Sequence, residues 1–144
     1  MVEGGCHCGA VRYAIAIDQL PPVYCCHCRE CQTMTGSAFA EQAFVMENQL
    51  SVSGPLIDYG YPNRSGAISR QFFCATCHVR IYNVNGVRPG VAIVRAGTLD
   101  DSDRLSPRAH IWVSRKQPWL ALPDGVPTFE ENAPLEAWQA ILAS

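Results

Sequence analysis

The sequence predicts a mainly β fold of short strands with a single helix near its C-terminal end. Three observations carry that expectation. Apolar residues alternate with small or polar ones in several short runs, the period of a half-buried strand. Ten prolines and eleven glycines punctuate those runs too often for long helices. Helical spacing is plain only at the end, where Leu135, Trp138, Ile141 and Leu142 fall on one face behind Pro134.

Taken in order, Val11, Tyr13, Ile15 and Ile17 alternate with Arg12, Ala14 and Ala16, which predicts a half-buried strand. After Pro21-Pro22, Val23 to Cys26 reads as a short strand. Thr35-Gly36-Ser37 reads as a turn, and Ala38 to Met46 as an extended run with Phe39 and Phe44 as core anchors. Gly54-Pro55 breaks Leu50–Ser53 from Leu56–Tyr59. Asn63 to Gly66 is a turn, and Ile68 to Phe73 the next strand. Val79 to Val84 ends in Asn85-Gly86, a favoured hairpin turn. Val91–Ala96 and His110–Val113 are the last strands, with the acidic loop Asp100-Asp101-Ser102-Asp103 between them.

At 144 residues, the chain is expected to form one domain, 1–144, with a core of its own. A net charge of −2 provides no electrostatic footprint for nucleic acid or an anionic membrane, so neither is an expected partner. The N-terminal residues lack the basic and apolar segments of a secretory signal. No apolar run approaches the roughly 20 residues of a membrane helix. A cytoplasmic location is the expectation. In a reducing compartment, eight closely paired cysteines point to metal ligation or catalysis ahead of disulfides.

The cysteines fall into three groups: Cys6-His7-Cys8, Cys25-Cys26-His27-Cys28 with Cys31, and Cys74-Ala75-Thr76-Cys77. Cys6 and Cys8 share one face of an extended chain, and Cys74 and Cys77 have the gap of a zinc knuckle. Together the outer pairs make a four-thiolate site. Such a site is closed and structural, because no coordination position is left for a substrate. In the central group Cys26 and Cys28 can share a face, with Cys31 brought round to join them. Cys25 faces the other way and reads as a small buried hydrophobe. A register of Cys25, Cys28 and Cys31 is also compatible with the spacing.

Three protein ligands and one open position are the pattern of a catalytic zinc site. Zinc acts as a Lewis acid and lowers the pKa of what it binds. Three thiolates soften it toward a fourth sulfur. The expected chemistry is capture of an external thiol as thiolate, followed by its addition to a small electrophile such as an aldehyde.

The sequence resembles the glutathione-dependent formaldehyde-activating enzyme family, whose domain also occurs in centromere protein V. The matching stretches are Gly4 to Tyr13, Cys26-His27-Cys28-Arg29-Glu30-Cys31 with Thr35-Gly36-Ser37, and Phe73 to Cys77. Gly97 to Asp101, Pro107 to Trp112, Trp119 and Leu122 to Gly125 also match. The resemblance implies a β-tent fold. It implies two Zn2+ ions, a structural one on Cys6, Cys8, Cys74 and Cys77 and a catalytic one on Cys26, Cys28 and Cys31. The implied reaction joins glutathione and formaldehyde as S-(hydroxymethyl)glutathione, a carbon-sulfur lyase activity. Two departures stand out: His78 follows Cys77 where the family usually carries glycine, and Cys25 adds a thiol beside the triplet.

Other residues read more plainly. His7 and His27 should face away from the metals, as surface or supporting imidazoles. His110 reads as a strand histidine, and Trp112, Trp119 and Trp138 as core. Arg12, Arg29, Arg70 and Arg80 can pair with the carboxylates of a glutathione-like thiol, with solvated surface charge as the ordinary alternative. A non-catalytic, zinc-stabilised protein-interaction module is the rival reading of the whole chain.

Overall fold

The computed structural model describes residues 1–143, and the fold is mainly β with a C-terminal helix. In chain order the elements are β1 (Val2–Gly5), β2 (Arg12–Ile15), β3 (Val23–Cys26), α1 (Arg29–Thr35), β4 (Ala40–Met46), β5 (Leu50–Ser53) and β6 (Leu56–Pro62). They continue as β7 (Ile68–Cys74), β8 (Arg80–Asn85), β9 (Val91–Arg95), β10 (His110–Ile111) and α2 (Leu135–Ala143). The chain divides into two compact units, Met1–Pro21 with Ala43–Arg104, and Pro22–Gln42 with the chain from Leu105 on. No described helix is long and apolar enough to cross a membrane.

In the first unit β2 is flanked by β1 and β5, both antiparallel to it, with Tyr13 opposite Gly4 on one side and Val52 on the other. The predicted alternation holds as far as Ile15, with Val11, Tyr13 and Ile15 buried and Arg12 exposed; β2 stops there, and Ile17 lies beyond it, half-buried. β9, β8, β7 and β6 follow one another in an antiparallel run. β6 extends beyond the expected Tyr59 to Pro62, and a proline is tolerated because β6 ends the run. The chain turns after β8 at Asn85-Gly86, as expected, and β9 returns antiparallel to β8. Asn85 caps the loop, its Oδ1 accepting from Val87 N at 3.0 Å and its carbonyl from Arg88 N at 2.9 Å, and β9 starts at Val91, the expected residue. β1 was not anticipated, since its Val-Glu-Gly-Gly run carries almost no apolar signal.

In the second unit β3 pairs in parallel with β10, with Cys25 opposite His110 and Cys26 opposite Ile111. β10 stops at Ile111, short of the expected Val113, because Trp112 takes a left-handed backbone (φ 58°) that leads into a tight turn. Tyr24, Cys26, Ala109, Ile111, Ala133 and Ile141 form the core, with Trp112, Phe129 and Trp138 packed on it. Tyr24 and Trp138 meet edge to face at 4.8 Å. Arg108 donates to the Ile141 carbonyl at 3.0 Å, near the C-terminal end of α2. Leu135, expected on the buried face, is exposed in the first turn of α2, and Trp119, expected in the core, is 72% exposed. Phe39 and Phe44 are only half-buried; the small residues Ala40, Ala43 and Val45 carry the burial along β4.

α1 was not anticipated either. Its seven residues are too few for a helical period to stand out, and only its ends identify it. The Cys28 sulfur accepts from Cys31 N at the start, and Gly36 closes the end at φ 64°, its N–H donating to the Gln32 carbonyl at 2.9 Å.

Candidate metal centres

The first unit brings Cys6, Cys8, Cys74 and Cys77 together, all four sulfurs lying within 4.8 Å of one another. Cys6 Sγ is 3.6 Å from Cys8 Sγ, and Cys8 Sγ is 3.8 Å from Cys74 Sγ. A tetrahedron with metal–sulfur arms of about 2.3 Å has edges of about 3.8 Å, so the spacing is compatible with zinc. The sulfurs are also served by backbone donors. Val11 N lies 3.2 Å from Cys6 Sγ, and Thr76 N and Cys77 N lie 3.4 and 3.5 Å from Cys74 Sγ. The Val79 N–H is the main reason the Cys77 thiol is drawn down to about 6. At Cys8 the Ala10 N–H acts the same way but is outweighed by desolvation and the neighbouring sulfurs, which take that thiol up to about 11. Crowded sulfurs cannot all ionise together without a cation among them.

The loops around this site explain two sequence features. Gly54, at φ 105°, runs so close to the first cysteine loop that a Cβ there would lie 2.1 Å from the Ala10 carbonyl. Pro55 accepts from Ala75 N at 2.9 Å, so the Gly54-Pro55 breaker braces both cysteine pairs. His78 sits at φ 62°, and its N–H donates to the Cys74 carbonyl at 2.9 Å. The backbone takes a left-handed turn here although the residue has a Cβ. His7 is exposed, lying between two residues whose sulfurs both join the four-thiol cluster.

The second unit brings Cys26, Cys28 and Cys31 together, again with sulfurs within 4.8 Å of one another. Among the described residues no histidine, aspartate, glutamate or further cysteine completes this cluster. Cys26 comes from the end of β3, Cys28 caps α1 and Cys31 lies in its first turn. Cys28 is the favoured thiolate. It is held down at about 2 by the Cys26 thiol first and the Cys31 thiol second, whereas hydrogen bonding to Cys28 pushes Cys26 far up. Gln42 Nε2 reaches to 4.0 Å from Cys31 Sγ. Cys25 is 1% exposed and stands apart from the cluster, its thiol pushed up to about 12 by burial and, secondarily, by Glu41.

The support behind the triplet was only partly legible. His27 is not a surface residue: it is fully buried, with Nε2 2.9 Å from Nδ1 of buried His110. His27 N donates to the Ile111 carbonyl at 3.0 Å. Gln32, 6% exposed, donates from Nε2 to the His27 carbonyl at 2.8 Å and the Arg115 carbonyl at 2.9 Å. Burial first, then the nearby His110 and Lys116, holds the His27 imidazole down at about 4, so it is neutral. Recognition of α1 would have exposed Gln32, which sits one turn after Cys28. Of the four arginines, Arg12 pairs with Asp100 and Arg70 with Asp58, and Arg80 donates to Gln71 Oε1 at 2.6 Å. In the acidic loop, Asp100 and Asp101 are thus turn residues with arginine partners, Arg12 and Arg104.

The comparisons with known proteins agree with this geometry. A putative glutathione-dependent formaldehyde-activating enzyme of Halomonas elongata is 25% identical over 127 residues, 85% of this chain and 81% of that protein. An uncharacterized lyase of Schizosaccharomyces pombe is 27% identical over 89 residues, 60% of this chain and 61% of its own. A crystal structure of a Rhodobacter sphaeroides protein shares the fold, with a TM-score of 0.55 at 24% identity over 74% of this chain and 92% of that one. The profile of the family described as glutathione-dependent formaldehyde-activating enzyme matches residues 1–115. That span includes all seven clustered thiols, and on it the chain belongs to this family.

Proposed function

We propose that the chain is a zinc-dependent carbon-sulfur lyase that joins a thiol such as glutathione to a small aldehyde such as formaldehyde. The observation that carries this is the inequality of the two clusters, four thiols in one and three in the other. The four-thiol cluster suits a closed structural zinc that fastens the N-terminal strands to the β7–β8 turn. The three-thiol cluster suits a zinc that keeps one position for an external ligand. Zinc held by Cys26, Cys28 and Cys31 would supply a Lewis-acid position at which a thiol loses its proton near neutral pH.

The chain's own residues have defined parts in this reading. Cys28, the preferred thiolate, and Cys31 are both held on α1, so their separation is set by one helical turn. Cys26 is fixed by β3, itself hydrogen-bonded to β10. Gln42 directs an amide N–H toward the Cys31 sulfur. Neutral, buried His27 keeps a second positive charge away from the thiols. In the net reaction the thiol sulfur bonds to the carbonyl carbon as the C=O π bond breaks. The carbonyl oxygen then takes a proton equivalent to the one the thiol gave up. The reverse reaction is catalysed equally.

The test is proton NMR of formaldehyde and glutathione with the zinc-loaded chain. Faster interconversion of free thiol and hydroxymethyl adduct, lost in Cys28→Ser, is the expected result. Rates equal to the uncatalysed exchange would refute the proposal.

A further inference from the structure

Beside the three-thiol cluster, the second unit holds a recess of about 370 Å³ lined by Arg29, Gln32, Thr33, Ser37 and Gln117. Among its described lining residues Arg29 alone carries charge. Its polar groups are wired in one direction. Gln32 Oε1 accepts from Arg29 Nη1 at 3.2 Å and from Gln117 Nε2 at 3.4 Å. Gln117 Oε1 accepts from the exposed Trp119 Nε1 at 2.7 Å. The Gln32 amide nitrogen is committed below to the His27 and Arg115 carbonyls. Both side-chain amide oxygens therefore already accept from internal donors, Gln32 Oε1 from two and Gln117 Oε1 from one. What remains for a ligand is mainly donors: the rest of the Arg29 guanidinium, the second Gln117 N–H, and the hydroxyls of Thr33 and Ser37, which can also accept.

A site rich in donors, with one guanidinium and its amide acceptors occupied, matches an acceptor-only ligand that is planar and anionic. Arg29 and Gln32 each directly follow a thiol of the cluster, Cys28 and Cys31, so the recess and the thiols occupy neighbouring sides of α1. A helix is roughly 10 Å across, and two extended residues span about 7 Å. A cysteinyl residue followed by one more residue therefore reaches from sulfur to carboxylate over the distance between adjacent sides. We infer that this recess binds the C-terminal carboxylate of a cysteinyl-glycine type thiol, with Arg29 as the specificity-determining residue. The choice of ligand rests on the thiol–aldehyde reading above, whereas the binding event itself needs no chemistry at the thiol.

That separation defines the experiment. Calorimetric titration of the zinc-loaded full chain with S-methylglutathione probes the recess without a free thiol, and the same thioether with its glycine carboxylate converted to the amide is the comparison. The acid should bind at least about tenfold more tightly than the amide, the range of one charge-assisted hydrogen-bonded pair. Arg29→Gln should bring the ratio close to one. Ser37→Asp, which places a like charge in the recess at an exposed position, should weaken binding of the acid at least tenfold. Equal binding of acid and amide by the unaltered chain, no binding of either, or a ratio that survives Arg29→Gln overturns the proposal. Formation of the hydroxymethyl adduct is followed by NMR in the same preparations. Loss of adduct formation with the binding ratio intact would defeat the proposed reaction and leave the recess standing.

Discussion

His27 Nε2 lies 2.9 Å from His110 Nδ1, and both rings are buried. One ring must donate and the other accept. Among the described residues, His27 Nδ1 has no hydrogen-bond partner. With the proton on His27 Nε2, that free atom is a bare lone pair; the opposite arrangement would strand an N–H in the core, the costlier fault. His27 is therefore the donor. His110→Phe then leaves a buried donor unpaired and is expected to cost about 1–3 kcal/mol in urea unfolding of the zinc-loaded chain. The double variant with His27→Phe should recover part of that loss. A double variant less stable than the sum of the two single changes would contradict the pairing.

This pair also marks the limit of what the sequence revealed. In the first unit β2 was legible because Val11, Tyr13 and Ile15 alternate with polar or small residues, and the cysteine pairs because they have metal-knuckle spacing, whereas β1 carried no such signal. The seven clustered thiols were legible for the same local reason. The histidine pair depends on β3 lying parallel to β10, a pairing across more than eighty residues that no periodicity encodes. Gln32 was hidden because α1 is too short to show a helical pattern. Trp119 was misplaced because aromatic character says nothing of the partner that holds an indole N–H at the surface, here Gln117.

The turn after Cys77 yields a stability prediction. His78 holds a left-handed backbone at φ 62°. A residue with a Cβ gives up about 1 kcal/mol there relative to glycine. His78→Gly is expected to raise the unfolding midpoint in urea without altering the zinc content. A lower midpoint would mean that the imidazole makes a compensating contribution of its own.

Cys25 distinguishes the two registers that spacing alone left open. It is buried away from the triplet and behaves as a small apolar side chain. Cys25→Ala should keep the same number of bound zinc ions and cost about 1 kcal/mol, the scale of a small truncation in a core. Loss of one ion, measured by inductively coupled plasma mass spectrometry, would restore the register of Cys25, Cys28 and Cys31.

The two thiol clusters are expected to hold two ions of different kinds, one closed and one open. Zinc quantification joined to zinc-edge X-ray absorption tests it most directly. The account predicts two ions per chain, one surrounded by four sulfurs and the other by three sulfurs and one lighter atom or added thiol. It predicts that Cys28→Ser keeps only the four-sulfur ion. Two ions retained at full affinity in Cys28→Ser, or a single ion in the unaltered chain, would contradict it.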